Sequence, residues 1–136
     1  WLVAAVVIGG IGIAAWQFFG AGAVGSAQRT DVTIPEFSPV ARAGKVAFDA
    51  NCAKCHGTHG SGTGQGPPLL NEIYNPGHHP DAAFQSAVRR GVRQHHWAFG
   101  NMPAQPQVTD EQLAQIVRYV RELQQANGIV YREHRM

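Results

Sequence analysis

Cys52-Ala53-Lys54-Cys55-His56 gathers two thiols and an imidazole into five consecutive residues. The pattern C-x-x-C-H is that of a covalent attachment site for a c-type haem. Both thiols would add across the ring's vinyl groups, and the adjoining histidine would reach the iron. Two other chemistries use similar residues. A structural zinc site needs four ligands, but the chain has two cysteines and no histidine pair at finger spacing downstream. A dithiol redox site expects the motif inside a βαβ pattern, and the segment before Cys52 reads as a helix. The haem reading is therefore preferred, and it puts the folded part on an oxidising, periplasm-like side of a membrane.

An electron-transfer haem needs a ligand opposite His56. Thioether sulfur favours Fe(II) over Fe(III) and raises the potential. The chain has two methionines. Met102 lies in Gly100-Asn101-Met102-Pro103, 46 residues after His56, whereas Met136 ends the chain. Met102 is the expected ligand, with Pro103 stiffening its approach. His95 and His96 are the runners-up. An iron with both axial positions filled leaves no open site, so the chain is not expected to be an enzyme in its own right.

Helices must position these groups. Ser38-Pro39 reads as an N-cap with proline at the first helical position. Val40, Gly44, Phe48 and Cys52 follow at four-residue spacing, predicting one inward face that delivers Cys52 to the helix end. Residues 57–80 are rich in Gly, Pro, Thr, Ser and Asn, a long loop that needs something to wrap around. Pro80 to Arg90 reads as a short helix closed by Gly91, with Ala83, Phe84, Ala87 and Val88 as its apolar stripe. Thr109 to Gln112 is a capping box. Leu113, Ile116, Val117, Val120 and Leu123 continue at helical spacing, and Gly128 is the stop. No strand pattern stands out, so the expected class is all-α.

The 136 residues are only 15% charged, with a net charge of +2. Much of the apolar excess lies in Trp1 to Phe19, which carries no charge and one polar side chain, Gln17. At about 1.5 Å per residue this run approaches bilayer thickness. A retained transmembrane anchor over 1–20 is expected. The competing reading is a secretory signal with Ala21-Gly22-Ala23 as its cleavage site, but the run is longer than a usual signal core. Ala5, Gly9 and Gly12 form a small-residue stripe of the kind that packs membrane helices. The expected layout continues with a periplasmic tether over 21–37, a haem domain over 38–127 and a tail over 128–136. Nothing basic or interleaved with aromatics suggests nucleic acid.

With these landmarks together, the stretch from about Ser38 to Asn127 resembles class I cytochrome c. Gly44, Phe48 and Cys52 match the family's first helix, and Gly66-Pro67-Pro68-Leu69 its Gly-Pro-x-Leu loop. Met102 before a proline matches the distal methionine. Ile116 and Tyr119 match the positions where the last helix crosses the first. The resemblance implies that the Pro67 carbonyl accepts a hydrogen bond from the free nitrogen of His56, a partner that orients the ring, and that Leu69 packs on the haem. One departure is plain. Lys45 and Lys54 are the only lysines, so the docking ring of lysines in mitochondrial-type members is absent.

The remaining residues admit several roles. Tyr74, Trp97 and Phe99 are expected to line the haem crevice, and Arg93 and Trp97 to donate to propionates. His59, His78, His79, His95, His96 and His134 are read as surface or propionate-adjacent. Imidazoles and thioethers also bind copper, which leaves a haem- or copper-handling protein as an alternative, with His134 and Met136 in the tail. The leading expectation is a membrane-anchored one-electron carrier with one haem c, working between partners such as a quinol-oxidising complex and a terminal oxidase or reaction centre. The second is a haem-relay subunit of a larger membrane redox complex.

Overall fold

In a computed structural model of the chain, residues 31–133 are described, and four α-helices carry the fold. They are α1 (Pro39–Asn51), α2 (Ala53–His56), α3 (Asp81–Arg90) and α4 (Asp110–Ala126), with 3-10 turns at Thr58–Gly60 and Glu72–Tyr74. Among the described residues there is no strand beyond an isolated bridge between Val92 and Met102. The expected anchor over 1–20 and the tail residues His134 and Met136 lie outside the described residues. Within them, no helix is long and apolar enough to cross a membrane.

The helix boundaries follow local chemistry. Ser38 Oγ accepts from the Ala41 N–H at 3.2 Å, and Pro39 takes the first helical position. At α4, Thr109 Oγ1 accepts from the Gln112 N–H and Gln112 Oε1 accepts from the Thr109 N–H, closing the box. Pro80 sits at the cap of α3 rather than inside it.

The main packing is α1 against α4. Gly44 marks the crossing: a Cβ there would overlap the Gln115 carbonyl and come within 3.0 Å of the Ile116 nitrogen. Tyr119 is fully buried, its ring 5.1 Å from Phe37 and 5.4 Å from Phe48. The inward face of α1 is Ala41, Gly44, Ala47 and Phe48, and Val40 is exposed, which corrects its expected place. The reason is geometric. Four residues turn a helix by about 400°, so a strict four-residue row drifts about 40° per step. Two steps back from Phe48, the row has left the buried stripe.

Packing also reaches beyond 38–127. Phe37 and Ile129 are buried. Asn127 receives the Thr33 N–H at 2.9 Å and donates to the Thr33 carbonyl at 2.8 Å. The C-terminal end of the expected tether is thus drawn onto the domain.

Glu122 joins the start of α1 to α4. It accepts from the Ser38 N–H at 3.0 Å, the Ser38 hydroxyl at 2.7 Å and Arg118 Nε at 2.6 Å. Burial opposes its ionisation, but the Ser38 and Arg118 hydrogen bonds outweigh that and hold the carboxyl below its ordinary pKa. The stabilisation is therefore complete above the ordinary carboxylate pKa and fades as the pH falls through the depressed one. Ser38→Ala removes the cap and one of these bonds, and is expected to cost about 1–2 kcal/mol in a denaturant titration at neutral pH. Glu122→Gln is expected to flatten the acid limb of the stability curve; an unchanged limb would remove Glu122 from this role.

Candidate functional site

The short helix α2 carries the cysteine motif, and the loop after it is folded back by glycines. Gly57 ends α2 at φ 76°, and a Cβ there would meet the Gly62 carbonyl at 2.5 Å. Gly62 N–H donates to the His56 carbonyl at 2.7 Å, and Leu69 N–H to the Gly60 carbonyl at 2.8 Å. A Cβ on Gly66 would stand 2.7 Å from the Cys55 carbonyl. That close approach lets Pro67 face the histidine: His56 Nδ1 lies 3.0 Å from the Pro67 carbonyl. Nδ1 must carry the proton to donate there, which leaves Nε2 with its lone pair free to bind a metal. Burial lowers the His56 pKa against the opposing pull of this bond.

One cavity of about 490 Å³ collects the predicted site. Cys52, His56, Pro67, Leu69, Tyr74, Arg93, Trp97, Phe99 and Met102 all line it. Phe48 from α1, Val88 from α3, and Ile116 and Val120 from α4 complete apolar walls. Cys55 does not line it; its side chain is exposed, one turn of chain from Cys52. The Cys52 thiol is pushed up to about 11, by burial first and by Cys55 second. A redox dithiol needs a lowered pKa to expose a thiolate, so the structure disfavours that chemistry for the motif.

Met102 is held by its backbone. Val92 N–H donates to the Met102 carbonyl at 2.9 Å, and Met102 N–H to the Val92 carbonyl at 3.0 Å. Gly91, at φ 74°, makes room, since a Cβ there would come within 2.5 Å of the Met102 carbonyl. Gln94 N–H donates to Asn101 Oδ1, and Gly100 N–H to Gln94 Oε1, closing the loop between. Sequence reasoning assigned the stiffening to Pro103 and missed Val92, Gln94 and Asn101. A single paired residue carries no strand periodicity, so no signal pointed to it.

Two further residues escaped the sequence reading. Gln124 is fully buried and donates to the Leu69 carbonyl at 2.9 Å, fixing the loop that faces the cavity. Arg121 donates to the carbonyls of Tyr74 and His79, to Gln124 and to Asp81, and lies over the Phe84 ring. Both sit on a helix whose apolar stripe alone was read. His59 is not a surface histidine: it is half-buried, and its Nδ1 lies 3.1 Å from the Tyr119 hydroxyl.

A haem fits this site by its donors and walls. An imidazole with an oriented free nitrogen and a thioether line one apolar cavity, with a thiol at its wall. Trp97 lines the same cavity, and its buried indole nitrogen, with no hydrogen bond of full geometry among the described residues, stands close enough to Tyr74 to temper the burial-driven rise in that phenol's pKa. The family model described as Cytochrome c matches residues 41–124. No curated protein matches the chain.

Proposed function

The chain belongs to the cytochrome c family, whose members transfer electrons through haem, and on that premise we propose that it is a His56/Met102-ligated one-electron carrier. The observation that carries the reading is that His56 and Met102 line the same cavity, one ring nitrogen of His56 being tied to Pro67. A haem c held here supplies a reversible Fe(III)/Fe(II) step. Cys52 and Cys55 would hold the ring covalently. Pro67 fixes which histidine nitrogen faces it, and Val92 fixes the methionine backbone. Ligands held this firmly change little between oxidation states. Leu69, Tyr74 and the helix residues exclude water from the ring, while Trp97 Nε1 and Arg93 are donors available to its propionates. The uncharged run over 1–19 supports a membrane anchor, which would keep the domain on the periplasmic side close to membrane redox partners, among them a quinol-oxidising complex, a terminal oxidase or a reaction centre.

The test is to produce the full chain in cells able to attach haem c. One covalent haem per chain and a reversible titration with one-electron slope are expected. Loss of haem from the denatured wild-type chain, or a titration that does not follow one electron, would overturn the reading. The Cys52→Ala/Cys55→Ala double variant is expected to retain no haem after denaturing electrophoresis. Fractionation of the same cells tests the anchor, which predicts recovery in membranes and release only by detergent.

A further inference from the structure

His78, His79 and His96 come together although 18 residues separate the first from the last. One ring nitrogen of each lies within 4.8 Å of the other two. From this geometry we propose that the three imidazoles form a binding site for a divalent transition-metal ion of the Zn²⁺/Cu²⁺ class, adjoining the cavity that His79 and His96 also line and distinct from the His56 and Met102 pair.

The distances suit such an ion. His78 Nε2 and His96 Nε2 are 3.4 Å apart. Metal–nitrogen bonds of about 2.0–2.1 Å in a tetrahedron require edges of about 3.3–3.4 Å. The third nitrogen needs to close by about 1.5 Å at most, a movement within reach of an imidazole rotation. His79 is already oriented. Its Nδ1 is 2.6 Å from the Ile73 carbonyl and must donate there, leaving Nε2 with its lone pair. A ligand histidine whose other nitrogen donates to a backbone carbonyl is the usual arrangement around a bound metal.

The platform under the site is fixed. Asn75 is buried, accepts from the Gly77 and His78 N–H groups at 2.8 and 3.3 Å, and donates to the Glu72 carbonyl. Arg121 holds the His79 carbonyl. His96 arrives from the loop that ends in Met102 and is exposed, so an ion has an open path. Glu72 and Glu133 line the adjoining cavity together with Arg132, and Arg132 Nε is paired with Glu72 at 3.3 Å. Three imidazoles and an open fourth position suit borderline cations, with Cu²⁺ above Zn²⁺ in affinity. His95, whose ring is 4.2 Å from that of His96, stands next to the site rather than in it. An ion here would join the turn at 75–79 to the Met102 loop.

The test uses the haem-loaded full chain, in which both thiols are engaged. Zn²⁺ titration by calorimetry is expected to give one ion per chain. His78→Ala and His96→Ala are each expected to weaken binding by at least the roughly 10–100-fold that losing even an outer partner of a metal ligand costs. Zn²⁺ should raise the Tm of the wild type and not that of the His78→Ala/His96→Ala variant, and His78→Ala, at a residue outside the haem cavity, should keep the wild-type haem spectrum. Binding that survives these substitutions, or that is lost in His134→Ala instead, would overturn the site. No stoichiometric binding would also overturn it, and would leave the histidines as a cluster held by ring contacts and a shared proton.

Discussion

Met102→Ala is expected to leave the haem covalently attached, to lower its reduction potential by on the order of 100 mV, and to let carbon monoxide bind the ferrous protein. The substitution removes only side-chain atoms beyond Cβ. The two bonds that hold residue 102 run from its backbone to Val92, so alanine keeps the loop in place. On the proposed ligation, what is lost is the thioether, which favours Fe(II), and water or a small ligand would take its coordination position. Spectroelectrochemical titration and carbon monoxide difference spectra read both effects. The sulfur-to-iron charge-transfer band of the ferric wild type should vanish with them. An unchanged potential and no carbon monoxide binding would transfer the ligand role elsewhere, and His95 and His96, which also line the cavity, are where to look.

The second large effect concerns the scaffold. Gly44→Ala is expected to destabilise the holoprotein by about 3 kcal/mol, the upper end for overpacking. The atoms that the new methyl would meet belong to the backbone of α4 at Gln115 and Ile116. No side chain can rotate aside, so the two helices must separate. For a domain of this size the loss corresponds to a fall in Tm of roughly 12–24 °C. Gly64→Ala is the matched control, because a Cβ there meets nothing within 4 Å. Equal melting of the two variants would mean that the helices do not cross at Gly44.

What could be read from the sequence was what local chemistry decides. The cysteine motif, the Ser38 cap and the Thr109 box each involve residues close together in the chain, whereas the role of Pro67 followed only from the family resemblance. Met102 was reachable because thioethers are scarce here. The remainder depends on contacts between distant segments. Val92 with Met102, Gln124 with Leu69, His59 with Tyr119 and His78 with His96 leave no periodic trace. His59 shows the difficulty well: its partner is 60 residues away. Val40 departs for another reason: a row of four-residue steps is not one face of a helix that turns in 3.6 residues.

The clasp between Val92 and Met102 divides the work of the loop it closes. Its two main-chain bonds ask nothing of either side chain, so they persist whatever the loop carries. Positions 95, 96 and 98 are exposed, and their side chains take no part in the bonds that hold the methionine backbone. That exposed surface can therefore diverge quickly while the methionine backbone stays put. The segment from Gly91 to Pro103 is in effect a transplantable cassette: moved between scaffolds, it would bring its own exposed surface with the methionine backbone already held.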